Sequence, residues 1–178
     1  MPETHRLFFA LWPAEALRKQ IAAQTAPAVA QVASRPVPAH HLHVTLVFLG
    51  NVPAAYMPTL IELGRTIRFP GCELTFDRFA VWQPAQVLVL KASAMPEPLL
   101  QLVDTLQQRL RQAGFGIEDR SYCAHVTLAR KVREVVSDMP TANIHWSAPD
   151  FVLAESMHGP DGVQYQVLET FSGTSCST

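Results

Sequence analysis

Four letters, H-V-T-L, occur twice in this chain, as His43-Val44-Thr45-Leu46 and as His125-Val126-Thr127-Leu128. The second copy follows the first by 82 positions in a chain of 178 residues. That spacing is close to half the chain and longer than the roughly 20–50-residue period of solenoids and propellers. It suits two similar lobes that face one another. The local patterns around each copy agree. "RLFFALW" (6–12) reads as a short buried strand stopped by Pro13, and Leu17, Ile21 and Ala28 then fall on one side of a helix that runs toward the first motif. Before the second motif, "QVLVLKA" reads as a strand. Leu99, Leu102, Val103, Leu106 and Leu110 follow at helical spacing, with Gly114 as the stop. Strand, helix, H-V-T-L strand is therefore written twice.

The remaining segments fill out an α+β chain. A proline-punctuated loop, "SRPVPAHH", leads into the first motif, and a second helix is expected from Pro53 to about Ile67. "CELTFDRFAVW" reads as a strand, and "DFVLAESM" and "QYQVLETF" as a strand pair split by the turn signature "HGPDG". The stretch between the second motif and that pair reads as a polar turn region.

On an extended strand, side chains alternate between faces. His43, Thr45, Val47 and Leu49 are expected on one face, with Val44, Leu46 and Phe48 on the other. His125 and Thr127 likewise oppose Val126 and Leu128. The valine and leucine of each motif become core anchors, and the imidazole and hydroxyl are left for the opposite side. Two facing lobes would bring two imidazoles and two hydroxyls to one cleft. That set suits acid–base cleavage of a phosphate ester. One imidazole must be neutral to take a proton and the other protonated to give one, and a reference pKa of about 6.5 allows both. In-line displacement at phosphorus needs the two on opposite sides. Threonine hydroxyls can donate to the non-bridging oxygens. Nothing in this chemistry calls for a metal or a cofactor.

Composition narrows the class. Hydrophobic residues make up 48% and charged residues 16%, with a formal net charge of −1. This is a globular balance, and a nucleic-acid-coating protein would be basic. Any contact with nucleic acid is therefore expected to be small and local. Cys72, Cys123 and Cys176 form no C-x-x-C pair, and no stretch approaches the roughly 20 apolar residues of a membrane span. The start of the chain does not read as a signal peptide. A reduced, cytoplasmic monomer with no obligatory protein partner is the expectation.

Paired H-x-T-x motifs half a chain apart resemble the 2H phosphoesterase superfamily, and within it the LigT-like RNA 2′,3′-cyclic phosphodiesterases. "RLFFAL", "LHVTLVFLGNV", "HVTLAR" and "LAESMHGPDGVQYQVLETF" carry the likeness over nearly the whole chain. The resemblance implies one domain over residues 1–178 made of two similar lobes. It implies a bilobal, pseudo-two-fold α+β fold with two antiparallel-rich sheets lining a central cleft and helices outside. It also implies metal-independent opening of a terminal 2′,3′-cyclic phosphate on RNA to a 2′-phosphate, and a reversible 2′-5′ ligase reaction when an RNA 5′-hydroxyl stands in place of water. In that match His43 is the proton donor to the leaving 3′-oxygen and His125 the base that activates water, although the near-identity of the motifs leaves the two roles interchangeable on sequence alone. Thr45 and Thr127 match phosphate-contacting hydroxyls. Arg130 matches an arginine that helps hold phosphate, yet strict alternation aims it away from His125, so a bend is required.

His41 stands where the family often has asparagine; it lines the cleft if the strand already starts there and is otherwise loop surface, the reading favoured here. Tyr165 is read as a core strand residue rather than a base-stacking one. Competing readings are a 2H enzyme for small cyclic nucleotides or metabolites and a non-catalytic module that grips a phosphorylated RNA end. Weaker ones are a metal site at His40, His41 and His43 and a Cys123–His125 nucleophilic pair. The last two fail on geometry, because adjacent strand residues point apart and i, i+2 neighbours rarely meet.

Overall fold

The computed structural model describes residues 3–119, 121–133, 139–160 and 162–173. Its elements are β1 (Thr4–Leu11), α1 (Glu15–Ala30), β2 (Arg35–Pro36), a 3₁₀ turn (Ala39–His41), β3 (Val44–Pro53) and a second 3₁₀ turn (Ala54–Tyr56). They continue with α2 (Met57–Arg65), β4 (Cys72–Trp82), β5 (Val87–Ala92), α3 (Glu97–Gln112), β6 (His125–Arg130), β7 (Ile144–Ala148), β8 (Asp150–Gly159) and β9 (Gly162–Ser172).

The strands form two antiparallel sheets, with orders β3-β1-β8-β9 and β2-β6-β5-β4-β7. Without the two-residue β2, the orders correspond strand for strand. β1-α1-β3 matches β5-α3-β6, so the recurrence in the sequence is a pseudo-two-fold in space. Helix placement repeats it: α1 packs against β6 and α3 against β3. Each motif strand thus meets the helix of the opposite lobe.

The helices form where the patterns put them. In α3, Leu99, Leu102, Val103, Leu106 and Leu110 are all buried, and Gly114 takes φ +88 just past its end, a conformation open to glycine. α2 is shorter than the pattern suggests, because residues 54–56 form the 3₁₀ turn before it. It lies against β9 so closely that a Cβ at Gly64 would collide with the Phe171 ring.

One apolar cluster joins both lobes and contains the valine and leucine of both motifs, Val44, Leu46, Val126 and Leu128. Each fully buried aliphatic side chain of this kind contributes about 1.5–3 kcal/mol. A smaller cluster, Phe8, Ala10, Val152 and Ala154, covers the other face of the first sheet under Trp12 and Tyr165. The stretch expected as a polar turn region holds β7. Its sequence Ile-His-Trp-Ser-Ala alternates buried and exposed and pairs with β4. In the 159–162 turn, Asp161 lies outside the described residues, as does Cys176.

Candidate active site

His43 stands one residue before β3, and His125 is the first residue of β6. Each ring is held the same way. His43 Nδ1 lies 2.7 Å from the carbonyl oxygen of His41, and His125 Nδ1 lies 2.8 Å from that of Cys123. A carbonyl only accepts, so Nδ1 carries the proton in both rings. In the neutral ring the lone pair then sits on Nε2. Both motifs therefore orient their histidines through the main chain two residues upstream, with Nε2 as the working atom.

Beyond the threonine, each strand departs from simple alternation at the same place. Ala10 pairs with Thr45 and Phe9 with Val47, which leaves Leu46 as an extra residue; Val89 pairs with Thr127 and Leu88 with Ala129, which leaves Leu128 extra. A bulge of this kind bends the strand and shifts the phase of everything after it. Leu46 and Val47 are consequently both buried, as are Leu128 and Ala129. Phe48 and Arg130, five residues after each histidine, turn out of the core. The expected placement of Val47 on the cleft face and Phe48 in the core is thereby reversed. The same bulge supplies the bend that Arg130 needed.

A cavity of about 340 Å³ lies between the lobes, and His43, Thr45 and Phe48 border it from one side and Arg130 from the other. His125 and Thr127 are half-buried together on β6 and do not form its wall. β6 nonetheless lies against β3, and the charge of His125 reaches His43. Tyr122, three residues before His125, donates its hydroxyl to the Thr45 carbonyl at 3.2 Å and ties one motif to the other. Burial raises its phenol well above the usual range, so it stays a donor.

Aromatic rings surround His43. Trp12 stacks at 5.2 Å between centroids, Phe8 lies at 5.1 Å and Tyr165 meets it edge-on at 5.0 Å. Burial among them pushes the His43 pKa down to about 4; the bond to the His41 carbonyl opposes this, while the Arg130 and His125 charges add to it. At neutral pH this imidazole is uncharged. Trp82 stands edge-on to His125 at 4.4 Å. No motif in the sequence marks Phe8, Trp12 or Trp82 as neighbours of these histidines, though Trp12 and Trp82 each end a predicted strand.

His41 belongs to the 3₁₀ turn and not to the strand, and its half-buried ring meets Tyr165 edge-on at 5.0 Å. Tyr165 is not simply a core residue, since it borders the cavity as well as covering the smaller cluster. No group of three metal-ligating side chains occurs among the described residues. The bond from His125 to Cys123 goes to the main-chain carbonyl, while the Cys123 thiol lies against the Ala124 carbonyl.

The curated RNA 2′,3′-cyclic phosphodiesterase of Escherichia coli (strain K12) is 35% identical over 177 residues, covering 98% of this chain and 99% of its own length. The family described as LigT like Phosphoesterase matches residues 11–89. The chain belongs to the LigT-like phosphoesterase family. An RNA 2′,3′-cyclic phosphodiesterase of Thermus thermophilus is 30% identical over 94% of the chain and 89% of its own length. The crystal structure of E. coli LigT complexed with 3′-AMP superposes with a TM-score of 0.89 at 33% identity, covering 97% of this chain and all of that one. The LigT-like family match contains the first H-V-T-L motif and stops before the second. The full-length relatives extend the LigT-like likeness across both lobes.

Proposed function

We propose that this protein is a phosphodiesterase that opens the 2′,3′-cyclic phosphate at an RNA end and leaves a 2′-phosphate. The observation that carries the reading is the pair of tethered imidazoles on abutting strands, with Arg130 of one lobe brought to His43 and Thr45 of the other. Membership of a phosphoesterase family and the names of the E. coli and T. thermophilus relatives support it.

In the proposed reaction His125 Nε2 takes a proton from water as the oxygen attacks phosphorus. The bond to the 3′-oxygen breaks on the opposite side, and His43 Nε2 supplies the proton that oxygen needs. Thr45 and Thr127 donate hydrogen bonds to the non-bridging oxygens, and Arg130 offsets their charge. None of these steps draws on a metal. Arrival of the phosphate anion opposes the cationic influence of Arg130 and His125 on His43, so proton uptake by His43 is coupled to substrate binding. One observation favours the reverse assignment: burial among the aromatic rings keeps the His43 imidazole neutral, the form a base needs. With an RNA 5′-hydroxyl attacking phosphorus in place of water and the bond to the 3′-oxygen breaking as before, the same site joins ends through a 2′-5′ linkage. The setting that fits is the cytoplasm, where the free thiols of Cys72 and Cys123 stay reduced.

His43→Ala and His125→Ala should each lower turnover of an oligonucleotide ending in 2′,3′-cyclic phosphate by about 10²–10⁴-fold, with circular dichroism unchanged. A substrate with sulfur at the 3′-bridging position separates the roles, because a thiolate leaves without a proton. It should restore activity to the variant lacking the acid and not to the one lacking the base. Near-normal turnover of the oxygen substrate in either variant would remove that histidine from the mechanism.

A further inference from the structure

Past the point where His43, Thr45 and Arg130 meet, the cavity continues along the first sheet. Phe8 and Arg6 follow one another on its cleft side at the two-residue period of a strand. Phe8 is the ring beside His43, and Arg6 is one step, about 6.7 Å, further on. Arg6 borders the cavity with Phe48, Ser156 and His158. Its guanidinium lies over the Phe48 ring, 4.7 Å from the centroid, and Phe48 itself is 45% exposed. Among the described residues no carboxylate pairs with Arg6. Ser156 is 9% exposed, and its hydroxyl has no hydrogen bond to a described residue. An arginine steadied on an aromatic face, without a counter-charge and beside an uncommitted hydroxyl, is arranged to receive an oxyanion.

We propose that Arg6 binds the 5′-phosphate of the terminal nucleotide, the group that links it to the rest of the RNA. The inference rests on the proposed function and adds the substrate class: an RNA end in preference to a free cyclic nucleotide. The cyclic phosphate and the 5′-phosphate of one nucleoside are a single nucleotide step apart, the scale of one two-residue step on β1. A free nucleoside 2′,3′-cyclic phosphate lacks the second group, so Arg6 has nothing to hold.

The test compares kcat/KM for cytidine 2′,3′-cyclic phosphate, its 5′-phosphorylated form and a dinucleotide ending in 2′,3′-cyclic phosphate. For the wild-type protein the 5′-phosphate should raise kcat/KM by on the order of tenfold, chiefly through KM. Arg6→Gln should erase that gain while leaving turnover of the bare cyclic nucleotide unchanged, and Arg6→Lys, which keeps the charge, should retain part of it. Thermal melts of both variants should match the wild type, since Arg6 is exposed. Indifference of the wild type to the 5′-phosphate, or an equal loss on all three substrates in Arg6→Gln, overturns the inference and leaves the proposed function standing. Inactivity of the wild type toward all three overturns the proposed function, and this inference with it.

Discussion

At His43 the surroundings resist a charge that the chemistry requires at one stage. The ring is stacked on Trp12 and flanked by Phe8 and Tyr165, and its pKa is pushed down to about 4. This has a consequence for stability. In the unfolded chain a histidine titrates near 6.5. As pH falls from there toward 4 the unfolded state takes up a proton that the native state refuses, so stability falls through that window and levels off below it. The loss should be about 2 kcal/mol, less than the full shift implies because the ring is only half-buried. Urea unfolding at pH 7 and pH 4.5 should show this sensitivity in the wild type and its reduction in His43→Gln. Equal losses in the two proteins would contradict the assignment. At this scale the sequence was legible for the motif residues and not for their companions. His41 and Tyr165 depend on where a turn ends and which face a strand shows, and neither is set by near neighbours in sequence.

At the scale of the element, the matching bulges at Leu46 and Leu128 decide what reaches the cleft. Without them, strict alternation from His125 would put Ala129 and Lys131 on the cleft face. With them, Ala129 is buried and Arg130 borders the cavity. Arg130→Ala should therefore reduce turnover by about 10²-fold, while Lys131→Ala should change it little; the opposite ranking would mean that the strand is not bulged in solution. The helices were readable because their apolar spacing is regular, as in α3 from Leu99 to Leu110. β7 is hard to read although Ile144, Trp146 and Ala148 alternate cleanly, because five residues among polar neighbours make a weak local signal. Bulges are less legible still, since the extra residue exists only relative to a partner strand.

At the scale of the whole molecule, the half-chain repeat correctly signalled two facing lobes. It did not signal that the first sheet draws β1 and β3 from one end of the chain and β8 and β9 from the other. The pairing of Phe8 with Ala154 spans most of the sequence, and no local pattern announces so distant a partner. The lobes are joined by shared core and by the Tyr122 hydroxyl on the Thr45 carbonyl. Tyr122→Phe should cost about 1 kcal/mol, a drop of about 2–4 °C in Tm for a chain of this size. It should lower kcat more than it raises KM, because the motifs lose their alignment while the cavity walls remain. An unchanged Tm and kcat would show that the bond is dispensable.

The tethers that orient both imidazoles have a consequence for how such a protein tolerates mutational drift. Each acceptor is a peptide carbonyl, which every amino acid possesses, so no point substitution at position 41 or 123 can delete it. A histidine and a cysteine already supply the same bond in the two halves. The spacing of two residues is what must be preserved, and an insertion or deletion there would do harm that a change of side chain would not.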